Sequence, residues 1–272
     1  MRFTITFKVN GNSGQEIIPI SYQYELSSWI YKMIHEGDSG FAKWLHNKGY
    51  MMNGKSFKLF TFSRLQVPKA QFRISNDRMI IRDCEIVLHL SFLLDEAIEP
   101  FITGIFRNQE MVIGDQTSQG KFLVKSIERF PDPVFKETMT VHLLSPLVIN
   151  KADGRYGEFL HPGHPEYEEL FFRNLINKYV AALADLSGYE NLTGQAEIRD
   201  SNIVTKLEVI SEPKSKLVVI KSGTPQETKI RGYFFDFKIT APPALIRTGY
   251  FAGFGEKNSL GFGCGEKMKR TN

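Results

Sequence analysis

Residues 253–265 read GFGEKNSLGFGCG, five glycines around a short polar and charged centre. Glycine admits positive φ without steric cost and lets main-chain N–H groups come close to a ligand. Gly253, Gly255, Gly261 and Gly263, with side-chain donors on Lys257, Asn258 and Ser259, therefore read as a loop able to face phosphate. Nucleotide-loop spacings do not fit it. A dinucleotide fingerprint from Gly253 needs glycine at 258, where Asn258 stands, and a P-loop from Gly255 needs glycine at 260, where Leu260 stands. The other reading of the same residues is a glycine-rich bend between a helix and the last strand.

Charge concentrates at this end of the chain. From Ile203 onward twelve Lys and Arg stand against six Asp and Glu, so this stretch carries +6 and the remainder −2 of the net +4. A field gathered on one region favours a polyanion, with RNA the foremost candidate, although a basic surface strand without a partner has the same composition.

Outward from the loop, the elements fall into two similar series. Phe3, Ile5, Phe7 and Val9 alternate with Thr4, Thr6 and Lys8, the period of a half-buried strand. Leu26, Ile30, Met33 and Ile34 make one helical stripe over 22–36, and a short helix follows over 40–47. Strands are expected over 55–63, 71–75, 78–82, 85–90, around Glu110 and over 122–128, with a helix over 92–106 that Pro100 should kink. The FPDP run at 130–133 cannot continue a ladder and marks a boundary between 1–130 and 131–272. The second series is a strand over 136–144, a helix over 166–186 stopped by Gly188, strands near 203–210, 216–221 and 232–240, and a helix over 243–250 before the loop and a final strand. Strand, helix, two strands, helix, strand is the ferredoxin-like order, so the expected fold is α+β with two tandem ferredoxin-like (RRM-like) β-α-β-β-α-β domains.

At 272 residues and 42% hydrophobic content, two separate cores are affordable. The sequence has no 18-residue apolar run, and the opening MRFTITFKVN lacks the layout of a signal peptide, so the expectation is a cytoplasmic protein away from membranes. Cys84 and Cys264 lie far apart without ligand spacing and read as buried reduced thiols. His161 and His164 are separated by Pro162 and Gly163 with no completing cluster, so no metal site is expected. His89 and His142 fall within strands and read as structural. His46 differs: it ends a short helix with Lys43, Lys48, Lys55 and Lys58 close in sequence, a titratable group in cationic surroundings that could move a proton near an RNA phosphate. A histidine placed at a helix C-terminus for its charge is the other reading.

GFGEKNSLGFG resembles the C-terminal loop of the CRISPR-associated repeat endoribonucleases, which cut repeat transcripts into guide RNAs. The runs WIYKMIH, WLHNKGY and FKLFTFS are similar to the places where that family keeps a tyrosine, a histidine and a lysine, which implies Tyr31, His46 and Lys58 as catalytic residues. The spacing from His46 to Lys58 is longer than in the family pattern, so Lys55 is the alternative lysine. The resemblance covers nearly the whole chain and implies the same tandem fold, no metal and no cofactor. On the loop's donors and the basic end of the chain, RNA contacts are expected from Arg247, Gly253, Gly255, Lys257, Asn258, Ser259, Gly261, Gly263, Lys267 and Lys269. The partners implied are CRISPR repeat RNA and a CRISPR effector complex, for a monomer or homodimer. The implied reaction is attack of a 2′-hydroxyl on the adjacent phosphorus. A non-cleaving repeat-RNA-binding protein of the same fold is the alternative, and it would have no use for all three catalytic residues. A nucleotide-dependent enzyme is disfavoured by the failed loop spacings.

Overall fold

The structure, a computed structural model, describes residues 1–10, 14–151, 157–186 and 204–268. The first half runs β1 (Arg2–Val9), β2 (Gln15–Pro19), α1 (Gln23–Gly37), α2 (Ser39–Asn47), β3 (Tyr50–Met52), β4 (Lys55–Phe57), β5 (Phe60–Phe62), β6 (Phe72–Ser75), β7 (Arg78–Arg82), β8 (Glu85–Phe92), α3 (Ile98–Arg107), β9 (Glu110–Gly114) and β10 (Gln119–Phe130). Its main sheet has the order β5-β8-β1-β10-β9, with every pairing antiparallel. Without the edge strand β9 this is the ferredoxin-like arrangement, with α1 and α3 as the two crossover helices. The alternation of β1 buries Phe3, Ile5 and Phe7, and the stripe of α1 buries Leu26, Ile30, Met33 and Ile34. Trp29 of α1 meets Phe7 and Phe101 edge-on at 5.6 and 6.0 Å, joining sheet, α1 and α3.

The second half repeats the scheme: β11 (Thr138–Leu143), β12 (Asn150–Lys151), β13 (Glu158–Phe159), α4 (Tyr167–Leu186), β14 (Lys206–Val209), β15 (Lys214–Ile220), β16 (Thr228–Phe234), β17 (Asp236–Thr240), α5 (Pro243–Ala252) and β18 (Gly265–Lys267). The sheet order β14-β17-β11-β18 is again ferredoxin-like, and the β15–β16 hairpin is an insertion between its second and third strands. One large apolar core runs through both halves, and a smaller cluster of Val148, Val218, Ile220, Ile230 and Phe262 lies at the β15–β16 hairpin. Arg2, 1% exposed, crosses between them: its guanidinium donates to Tyr250 O at 2.7 Å and lies 3.8 Å from the centre of the Tyr250 ring.

Several expectations change. Residues 55–63 are two strands, broken at Leu59, whose φ of 54° turns the chain so that β4 pairs with β3 while β5 joins β8. Residues 232–240 break likewise: β16 belongs to the hairpin and β17 to the sheet, and the junction is hidden in sequence because Tyr233, Phe235 and Phe237 are all buried aromatics. Pro100 produces no kink, because β8 continues to Phe92 and Pro100 falls in the first turn of α3, where its missing N–H has no partner to lose. The 72–75/78–82 hairpin pairs with β2 in a separate small sheet. Of the two cysteines only Cys264 is buried, where desolvation pushes its thiol up to about 11; Cys84 is half-exposed. Gly188 lies outside the described residues.

Candidate active site

Tyr31 and His46 are brought together by the tight link between α1 and α2. Asp38 caps α2 by accepting from Phe41 N at 2.9 Å, and the helix closes with Lys48 N and Gly49 N both donating to Trp44 O. His46 therefore stands exposed in the last turn, its ring 5.4 Å from that of Tyr31 and nearly perpendicular to it. Its Nδ1–H donates to Asn47 Oδ1 at 3.1 Å, leaving Nε2 of the neutral ring free to take a proton. Lys58 arrives from the break between β4 and β5. Its Nζ donates to His46 O at 2.9 Å and to Ser56 Oγ at 3.0 Å, and partial burial lowers its pKa. Tyr31 is the more enclosed group: burial pushes its hydroxyl well up, and a hydrogen bond with Ser259 acts in the opposite direction.

Ser259 belongs to the glycine loop, so loop and corner touch directly; its carbonyl also accepts from Ser27 Oγ of α1 at 2.6 Å. The loop is packed inside the protein. Gly253, Gly255, Gly261 and Gly263 are buried with φ between 68° and 91°. A Cβ would run into Val148 O at Gly255, the Phe62 ring at Gly261 and Phe254 O at Gly263. These glycines thus allow close approach of protein to protein. Asn258 turns its amide inward, donating to Phe254 O at 3.1 Å and Phe262 O at 3.0 Å. Beneath the loop, Lys178 of α4 is 2% exposed and donates to Gly253 O at 2.6 Å and Gly255 O at 2.5 Å. Burial brings its pKa down to about 7, with Glu256 nearby acting to raise it.

Between the β4–β5 link and the loop runs a cleft of about 350 Å³, lined among others by Lys55, Lys58, Asn174, Lys178, Lys257 and Ser259. Lys257 is exposed there, at φ 60°, and Lys55 pairs with Glu256 at 3.4 Å. The remaining basic residues singled out in the sequence are elsewhere. Arg247 is exposed on α5 over the Phe251 ring, and Lys267 lines a different depression with Lys136 and Lys238; Lys269 lies outside the described residues. Lys32, His35 and Lys43 surround Tyr31 and His46 in a shallow hollow; Lys43 was expected near His46, whereas Lys32 and His35 were missed because only the helix pairing brings them there. Asn174 and Lys178 were missed too, yet left a signal: two polar residues in the apolar register of Leu170, Phe171, Leu175 and Ala182. Among the described residues no group of three or more His, Cys, Asp and Glu could hold a metal ion, and no helix is long and apolar enough to cross a membrane.

Fold and site together define a protein of two ferredoxin-like halves with a lysine-lined cleft between them. A family profile described as "CRISPR associated protein Cas6, C-terminal" matches residues 130–267, and one described as "CRISPR-associated protein Cas6, N-terminal" matches residues 17–128. The chain belongs to the Cas6 family. It is 32% identical over 260 residues to the CRISPR-associated endoribonuclease Cas6 1 of Methanocaldococcus jannaschii, covering 94% of this chain and 89% of that protein. It is 26% identical to the CRISPR-associated endoribonuclease Cas6 of Pyrococcus furiosus, covering 97% and 88%. A solved structure described as CRISPR associated protein Cas6 superposes with a TM-score of 0.73 at 27% identity, covering 99% of each chain.

Proposed function

We propose that this protein is a metal-independent endoribonuclease that cuts CRISPR repeat precursor RNA, leaving a 2′,3′-cyclic phosphate and a 5′-hydroxyl. The observation that carries the reading is the meeting at one corner of Tyr31, His46 and Lys58, from two helices and a strand break. The His46 ring stands near that of Tyr31, and Lys58 Nζ is bonded to the main chain of His46. The relatives named above as endoribonucleases support the reaction class.

In this reading the RNA 2′-hydroxyl attacks the neighbouring phosphorus and the 5′-oxygen departs. His46 moves a proton at Nε2, the ring nitrogen left free by Asn47. The Lys58 ammonium faces the negative charge that grows on the non-bridging oxygens, and Tyr31, steadied by Ser259, orients the phosphate or a reacting hydroxyl. The catalytic residues belong to a domain spanning 1–130. Residues 131–272 form the second domain, whose loop presents Lys257 to the RNA. The protein acts in the cytoplasm.

The test is incubation with the repeat RNA of its own locus, with and without EDTA, followed by identification of the product ends. Cutting that survives EDTA with cyclic-phosphate ends is expected. A strict magnesium requirement, or 3′-hydroxyl ends, overturns the reading.

A further inference from the structure

Tyr31 and His46 are shared by two concavities. Towards the cleft already described, the Tyr31 hydroxyl is hydrogen-bonded to Ser259, the Tyr31 ring meets Phe60 edge-on at 5.5 Å, and Lys58 Nζ donates to His46 O; Ser259, Phe60 and Lys58 all line that cleft. Both residues also line the hollow of about 310 Å³ between α1 and α2, together with Lys32, His35 and Lys43.

The hollow gathers positive charge without a counter-charge. Lys32, His35, Lys43 and His46 are exposed, and no aspartate or glutamate lines the space between them. Asp38, on the link between the helices, has its carboxylate engaged by Phe41 N as the cap of α2. The two histidines have a local reason for their places, since each stands in the last turn of its helix, where the dipole favours a cation. Lys32 and Lys43 have no such reason: each lies in the body of its helix, and neither has an ion pair among the described residues. Like charges converging on one space repel each other and together draw in an anion.

Position selects the anion. The helices meet at the α1–α2 link, and His35 and Lys43 stand four and three residues closer to it than Tyr31 and His46 do, about 4.5–6 Å along the helix axes. That offset is comparable to the step from one phosphodiester to the next along a strand. With the scissile phosphate at Tyr31 and His46, a neighbouring phosphate comes to rest over the hollow.

We propose that the hollow between α1 and α2 is a second phosphate subsite, in which Lys32 and Lys43, with His35, hold the phosphodiester next to the one that is cut. The inference rests on the proposed RNA cleavage and adds to it the path of the strand, from the Lys58 and Lys257 cleft across Tyr31 and His46 onto the α1–α2 corner. Anchors to either side of the reacting phosphorus would fix its orientation.

The test uses the whole chain and the repeat RNA of its own locus, with the cut position taken from the product ends and a 2′-deoxy nucleotide there to block cutting during binding. Single phosphodiesters are replaced one at a time by an uncharged methylphosphonate. Affinity is measured at several salt concentrations for the wild type and for a variant carrying Lys32→Gln and Lys43→Gln, with thermal unfolding as a check on the fold. Removing two like charges should leave Tm level or higher. The logarithmic salt slope of the variant should fall by about 0.7, the single-strand value for one phosphate, which is about eight-fold in affinity at about 50 mM salt. For the wild type, the methylphosphonate at one linkage flanking the cut should cause a similar loss. The variant should lose nothing further at that linkage and keep the wild-type response at all others. Lys43→Gln alone gives the same comparison should the double variant not fold. Equal losses in both proteins at every linkage, coupling only at linkages away from the cut, or a lowered Tm with an unchanged slope overturns the inference. Cutting by the wild type without such coupling removes this inference alone; a wild type that neither binds nor cuts the RNA removes the proposed function with it.

Discussion

The corner holding Tyr31, His46 and Lys58 and the glycine loop beside it are built in opposite ways. The corner has ordinary local sequence, and its histidine is open to solvent; the loop has the most unusual sequence in the chain, and most of it is buried. Glycine content alone suggests a ligand cradle, but each buried loop glycine presses against protein: Asn258, Val148 O, the Phe62 ring and Phe254 O. A glycine-rich run therefore reports close approach, without saying to what. Here the loop works mainly as a buckle, held below by Lys178 and fastened above to Ser27 and Tyr31 through Ser259.

That contrast can be broken most forcefully at Gly263. Valine there would meet positive φ and the Phe254 carbonyl together, so Gly263→Val should cost about 3 kcal/mol or more of stability in urea unfolding. A variant that unfolds like the wild type and only binds RNA more weakly would return the loop to a ligand role. Lys178→Met comes next, since it leaves the Gly253 and Gly255 carbonyls without their buried donor, an expected loss of about 1–3 kcal/mol near pH 9. The effect should depend on pH. An unfolded lysine keeps its proton up to about 10.4, while folded Lys178 releases it at about 7. Between those values the unfolded state binds more protons, so this group adds stability as pH rises from 7 towards 10.5 and loses it as pH falls through 7. The wild-type advantage over Lys178→Met should accordingly widen across that window; parallel curves would contradict the burial of the amine.

The smallest effects sharpen the comparison at the surface. Lys257 lines the cleft with Lys58, whereas Lys267 lines a different depression. Binding isotherms of repeat RNA at several salt concentrations should show Lys257→Ala lowering the logarithmic salt slope by about 0.7, the single-strand value for one phosphate contact. Lys267→Ala should change it less. Equal slopes would mean that the basic end of the chain acts as a diffuse field instead of at one cleft.

The architecture was legible because the order of elements survives in local periodicity, with β1 alternating at period two and α1 striped at 3.6. The breaks at Leu59 and Phe235 were not, since each lies inside a continuous apolar run and depends on which sheet the chain joins next. The Tyr31, His46 and Lys58 set is proposed from motif resemblance and local charge. Whether such residues meet is a property of the α1–α2 link and the β4–β5 break, which no single segment encodes. Asn174 and Lys178 were readable only as polar intrusions in a helix stripe. Their meaning required the loop that closes over them.

Single-turnover cutting of saturating repeat RNA by His46→Ala, set beside the wild type, tests the division of labour most directly. Loss of the proton carrier should slow cutting by about a hundred-fold or more while RNA affinity stays within a few fold and the unfolding midpoint is unchanged. A His46→Ala protein that binds and cuts like the wild type would contradict the account at its centre.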